Sequence, residues 1–131
     1  MQSRIFNIGD LKEEITTWNY PRYQINITPK DVSFFKAPLK EEFKIHLEFP
    51  QGKITDKYGN EYSDGFFSTN VVKDLANRFG KESVRAICAI WKNKKGEGIL
   101  TGWFREYHLS PKDKVKIDLK DDGYYLESLQ E

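Results

Sequence analysis

Cysteine is almost absent from this chain: Cys88 stands alone in 131 residues, so no disulfide can form within it. Residues Met1 to Asp10 also lack the basic-then-apolar pattern of a secretory signal, and the two features together point to a reducing cytoplasmic compartment. Histidine is nearly as scarce. His46 and His108, with a single cysteine, cannot assemble a zinc site of the usual donor set, so no metal is expected. No apolar run approaches the ~20 residues that cross a bilayer, so no membrane partner is expected either. An excess of one charge is missing too: 21 Lys+Arg face 20 Asp+Glu, a net charge of +1. Such a balance creates almost no long-range field, which counts against a protein that coats nucleic acid through bulk phosphate neutralisation and leaves room for one that reads shape or base edges. There is no Gly-x-x-x-x-Gly-Lys loop and no Gly-x-Gly-x-x-Gly turn, so the chain has no visible apparatus for cradling nucleotide phosphates, and no cofactor is expected.

What is present is apolar and aromatic: 38% of residues are hydrophobic and 15% aromatic, enough to build one core without metal or disulfide support. Residues 1–131 are read as a single domain. Asp10, with Glu13 three residues on and Leu11, Ile15 and Trp18 at helical spacing, predicts a short helix. Alternation of Tyr23, Ile25 and Ile27 predicts a strand, ended by Pro29-Lys30-Asp31. The clearest strand is Glu42 to Phe49, where Phe43, Ile45, Leu47 and Phe49 share one face and Lys44 and His46 the other. Phe66-Phe67-Ser68 reads as a brief buried strand. Asn70 is placed as the N-cap of a second helix carrying Val72, Leu75, Ala76 and Phe79, with Gly80 at its end. Val84 to Trp91 is apolar on both faces, as a central strand is. Ile99 to Trp103 is read as a further strand, Ser110 to Asp113 as a turn, and Val115, Ile117 and Leu119 as a strand joined through Asp121-Asp122-Gly123 to a last one, Tyr124 to Leu129. The sum is a mainly β fold of about seven strands and two short helices, of the barrel or sandwich kind.

Little in this pattern carries catalytic chemistry. Cys88 lies between alanines in the most apolar strand and reads as core. Asp118, Asp121 and Asp122, with Lys120 among them, faintly echo a nuclease metal site, but a hairpin turn with charged flanks explains them better. No catalytic residue is assigned. Two polar segments stand out instead. Gln51 to Asp64 holds Lys53, Thr55, Lys57, Tyr58 and Asn60, and Trp91 to Gly98 holds Lys92, Asn93, Lys94 and Lys95, the sharpest basic cluster in the chain. Lysines suit phosphate oxygens, whereas Asn and Thr suit base edges, a division of labour that specific DNA binding requires.

The C-terminal half, with Trp91 before the basic segment, then Leu100-Thr101-Gly102-Trp103-Phe104 and Leu109-Ser110-Pro111-Lys112-Asp113-Lys114-Val115, resembles the B3 DNA-binding domain. The likeness spans Val84 to Leu129. It departs from the family pattern by one residue fewer before Gly102-Trp103 and by Lys112 where glycine is favoured. The resemblance implies an open seven-stranded pseudobarrel that grips the major groove of double-stranded DNA with two arms, as the recognition domains of some bacterial restriction endonucleases do. Gln51 to Asp64 would be one arm and Trp91 to Gly98 the other. Lys53, Lys57, Lys92, Lys94 and Lys95 would then meet phosphate or guanine, and Thr55, Asn60 and Asn93 base edges or sugar-phosphate. Trp91 and Trp103 read as core, and any nuclease would lie in a fused or associated domain. Two rival readings follow from the residues themselves. One is a protein-interaction module of immunity or adaptor type, anchored by exposed Tyr58, Tyr62 and Tyr124. The other is a small magnesium nuclease using Asp118, Asp121 and Asp122.

Overall fold

The computed structural model describes residues 2–15, 20–36, 41–56, 58–73, 85–87, 90 and 98–129. Among them are ten strands, one 3-10 helix (Pro29–Phe35) and one α-helix, α1 (Leu100–Glu106). The strands are β1 (Gln2–Ile15), β2 (Pro21–Ile27), β3 (Phe43–Leu47), β4 (Lys53–Thr55), β5 (Glu61–Ser63), β6 (Gly65–Thr69), β7 (Val72–Lys73), β8 (Arg85–Ile87), β9 (Lys114–Lys120) and β10 (Gly123–Ser128). Eight of these form one sheet in the order β6-β3-β10-β9-β1-β2-β8-β7, and β4 and β5 form a separate hairpin. The protein is therefore mainly β, built on an open and strongly curled sheet.

The curl follows from the connection between β6 and β7. These strands lie at opposite edges of the sheet, yet only Asn70 and Val71 separate them in the chain. Three Cα steps reach at most about 11 Å. A flat sheet would hold its edges seven strand spacings apart, about 34 Å. Only a sheet rolled most of the way into a barrel joins the two edges so briefly. The long strand β1 makes the corner: Gln2 to Asn7 pair with β9, and from Ile8 onward the strand pairs with β2, with an irregularity between Asp10 and Ile15. Gly9 sits in this corner, where a β-carbon would fall 2.4 Å from the Asn26 side chain of β2.

The expected strands at Tyr23, Phe43, Phe66, Val115 and Tyr124 are all present, with Ile25, Ile27, Ile45, Leu47, Val115 and Ile117 buried on the inner face. Within the expected central strand, β8 lies between β2 and β7 and buries Ala86 and Ile87 completely. Cys88 and Trp91 lie outside the described residues. Two expectations are corrected. The helix placed from Asp10 is instead the second half of β1, where Asp10 faces Tyr23 and Ile15 faces Pro21. A helix of two turns is marginal by itself, and pairing along β2 outweighs it. The strand placed at Ile99 to Trp103 is α1, because Leu100, Trp103 and Phe104 fall at i, i+3 and i+4 and all are fully buried. That removes the strand which the B3 pattern implies before Gly102-Trp103. The helix capped at Asn70 is also corrected at its start, since Val72 and Lys73 are paired with β8. The remainder of that helix lies outside the described residues.

The two helices pack toward opposite ends of β2. The 3-10 helix follows the end of β2 and drives Phe34 and Phe35 into an aromatic cluster with Phe6, Phe43 and Tyr124, ring centroids 5.1 to 6.2 Å apart. Tyr124 donates its hydroxyl to the Phe34 carbonyl at 2.9 Å. At the start of β2, Phe104 of α1 meets Tyr23 edge-on at 6.1 Å, and Tyr20 donates to the Leu109 carbonyl. Replacing Trp103, fully buried in α1, by Ala should lower stability by about 3–5 kcal/mol in urea or thermal unfolding, and Phe at the same position should cost less.

Candidate nucleic-acid interface

The segment Gln51 to Asp64 is the β4–β5 hairpin, with Lys53 facing Ser63, Ile54 facing Tyr62 and Thr55 facing Glu61. Its alternation is strict. Ile54 and Tyr62 point into the core beside α1, and Lys53, Thr55, Glu61 and Ser63 point to solvent. The root of the hairpin is fixed by short hydrogen bonds. The Phe49 amide donates to Asp64 Oδ1 at 2.8 Å, and the Gly52 amide to the Phe49 carbonyl at 3.0 Å. One residue earlier, the Glu48 carbonyl accepts both Trp103 Nε1 at 3.1 Å and the Tyr107 hydroxyl at 2.7 Å. Burial, with Glu48 and Asp64 nearby, raises the Tyr107 pKa, so this donor stays protonated. The end of β3, the hairpin root and α1 are thus one packed unit.

The second segment begins from the same unit. The Ile99 amide donates to the Ile90 carbonyl at 2.9 Å, which closes the base of the stretch between them, and Ile99 leads directly into α1. Helix α1 has seven residues, about 10 Å of axis, and packs on β4. The bases of the two segments are therefore joined by one short helix. Lys57, Lys92, Asn93, Lys94 and Lys95 lie outside the described residues. Lys53, Thr55 and Asn60 are described and exposed.

The hairpin tip is organised by an acid that the sequence reading passed over. Asp56 is buried and accepts the Tyr58 amide at 2.9 Å, the Asn60 amide at 3.0 Å, Asn60 Nδ2 at 3.1 Å and the Tyr62 hydroxyl at 3.5 Å. Burial alone would raise its pKa, but the bonds from Asn60, Tyr58 and Tyr62 outweigh it and hold the carboxyl below its ordinary value. Asn60 is consequently part of the scaffold. One N–H of its side-chain amide is given to Asp56, which leaves the second N–H and the side-chain oxygen as the contacts a ligand can use. Lys53 reaches Glu61 at 3.1 Å, with both side chains 60% exposed, a surface pair that exchanges easily for a phosphate. Across Gln51 to Asp64 two lysines stand against Asp56, Glu61 and Asp64, so the hairpin is not an electropositive arm.

The features of the rival readings are placed differently from expectation. Tyr62 and Tyr124 are 2% and 6% exposed, so neither is placed to anchor an interface, whereas Tyr58 at the hairpin tip is 66% exposed. Asp118 is buried, accepts the Ser3 hydroxyl at 2.5 Å and lies 3.7 Å from Lys116 Nζ, while Asp122 accepts the Tyr125 hydroxyl at 2.5 Å. Among the described residues no three His, Cys, Asp or Glu side chains converge as metal ligands. Trp103 is core, as read from the sequence.

The Asp56 hub has a measurable pH signature. A depressed carboxylate stabilises the fold above its unfolded value, near 3.9, and that contribution disappears as pH falls through the lower folded value. Amide exchange at Tyr58 and Asn60 should therefore stay slow down to about pH 4 and accelerate below it. Asp56→Asn should remove the transition and lower stability by roughly 1–2 kcal/mol. Comparison of the chain with family models, with curated proteins and with solved structures returned no match, so the reading of this interface rests on its own residues.

Proposed function

We propose that this protein is a B3-like DNA-recognition module that binds double-stranded DNA sequence-specifically through the two segments Gln51 to Asp64 and Trp91 to Gly98. The observation that carries the reading is the shared root: the Ile90–Ile99 bond and the hairpin base both abut α1. Two polar segments whose described bases meet at α1 suit a groove about 12 Å wide, with one segment along each wall.

Charge divides the work between them. The hairpin has more acid than base, so phosphate neutralisation falls to Lys92, Lys94 and Lys95 on the second segment. The hairpin, pinned by Asp56 and Glu48, serves as the rigid reading element. Thr55 on its exposed face and the side-chain amide of Asn60 at its tip meet base edges, and Lys53 exchanges Glu61 for a backbone oxygen. Asn93 supplies a further base-edge or sugar-phosphate contact. A recognition module of this kind works beside a nuclease or regulatory domain fused to it or associated with it. The protein-interaction reading is weakened by the burial of Tyr62 and Tyr124, which leaves Tyr58 as its anchor.

Selection of bound duplexes from a random pool should enrich one motif. With that duplex, affinity should fall steeply as salt rises, and changing Lys94 and Lys95 together to Ala should lower the slope of log K against log salt by up to about two. An unenriched pool, or an unchanged slope, contradicts the proposal.

A further inference from the structure

The outer face of the sheet carries a second surface, far from the charge logic of the two segments. Register places Phe66, His46, Tyr125, Asp118 and Ser3 side by side across β6, β3, β10, β9 and β1. The first three form a cluster of rings. His46 lies 5.1 Å from Phe66 and 4.9 Å from Tyr125, and Phe66 lies 5.5 Å from Tyr125. Phe66 is 39% exposed, an unusual investment for a phenylalanine on a wet face. Gly123 makes room for it. Its φ of 141° excludes most side chains, and a β-carbon there would press on the Phe66 ring at 3.0 Å.

Cations border the rings on both sides. Lys120 Nζ sits 4.3 Å from the Tyr125 ring centre and also lines a cleft of about 330 Å³ with Lys36, Gln2, Leu119 and Asp121. On the other side a cleft of about 420 Å³ runs along Phe66 with Lys44 at its wall. Among the described residues Lys36, Lys44 and Lys120 have no ion-pair partner; of the nearby acids Asp118 is buried, whereas Asp121 and Asp122 are exposed, Asp121 on the wall of the Lys120 cleft. Asp122 accepts from Tyr125, Asp118 from Ser3 and Asp64 from the Phe49 amide. The surface therefore offers flat rings flanked by three lysines that are in no ion pair among the described residues, which complements a ligand of alternating flat rings and negative charges.

We propose that this face binds a short single-stranded oligonucleotide, its bases stacked on Phe66, His46 and Tyr125 and its phosphates at Lys44 and at the Lys120–Lys36 cleft. The side chains assigned to bases and phosphates, Phe66, His46, Tyr125, Lys36, Lys44 and Lys120, all lie outside the two segments, and the Phe66 cleft borders the first segment at Ser63 and Asp64. A fluorescein-labelled dT12 strand, titrated by anisotropy, tests it. Wild-type protein should bind with a salt slope of about two, from three lysines on single-stranded DNA. Phe66→Ala and Lys120→Glu, both on the surface, should each weaken binding roughly tenfold with unchanged melting temperature, and an inorganic polyphosphate of equal charge should compete poorly. The Lys94, Lys95 double variant should bind dT12 as wild type does, which separates failure of this site from failure of the duplex reading. No binding of dT12, equal binding by Phe66→Ala and Lys120→Glu, or full competition by polyphosphate would overturn the proposal.

Discussion

The two-residue passage from β6 to β7 is the constraint on which the rest of the structure depends. Opposite edges of an eight-stranded sheet cannot be bridged by Asn70 and Val71 unless the sheet rolls up, and rolling up creates an inside. That inside is filled by Ile25, Ile45, Leu47, Ile87, Val115 and Ile117 from the strands and by Phe34, Phe35, Trp103 and Phe104 from the helices. The curl also separates three surfaces with different chemistry: an end occupied by the 3-10 helix, an end occupied by α1 and the β4–β5 hairpin, and an outer flank where side chains of β3, β6 and β10 meet solvent.

At the α1 end, one backbone carbonyl does much of the positioning. The Glu48 carbonyl receives Trp103 of α1 and Tyr107 at its C-terminal cap just where the chain leaves β3 for the hairpin, so helix and hairpin share a single anchor. Rigidity matters for the proposed recognition, because a preformed reading element loses less conformational entropy when it docks than a flexible loop does. Asp56 extends the same order to the tip. A hairpin with a net negative formal charge is compatible with the proposed role, because Asp56 and Asp64 organise backbone and the proposal assigns phosphate to the other segment.

Period-two alternation made most strands legible in the sequence, since Tyr23-Ile25-Ile27 and Phe43-Ile45-Leu47 admit only one buried face. The errors arose where a local pattern had two solutions. Leu100, Trp103 and Phe104 have helical spacing, yet flanking apolar residues and the family pattern favour a strand; a run buried at every residue from Ile99 to Phe104 suits either a helix enclosed on several sides or a strand covered on both faces, and here it is the helix. Asp10 to Ile15 has a helix signature, and pairing with β2, a partner whose position no local pattern reveals, overrides it. The polar segments were visible as composition, but which of their side chains are free was not. Nothing local distinguishes Asn60, tied to Asp56, from Thr55, which faces solvent, or exposed Tyr58 from buried Tyr62. The ring cluster of Phe66, His46 and Tyr125 was invisible for the same reason: its members are distant in the chain, and only strand register makes them neighbours.

The proposed recognition requires that the hairpin tip and the basic segment stand together at the α1 end of the rolled sheet. Spin labels at Tyr58 and Lys94, with Cys88 replaced by Ala, measure it directly by pulsed electron resonance. The separation should lie below about 25 Å, compatible with a groove of ~12 Å between the segments, and its distribution should narrow when duplex DNA is added. A separation near the full width of a domain of this length, about 35 Å, would place the two segments apart and contradict the account.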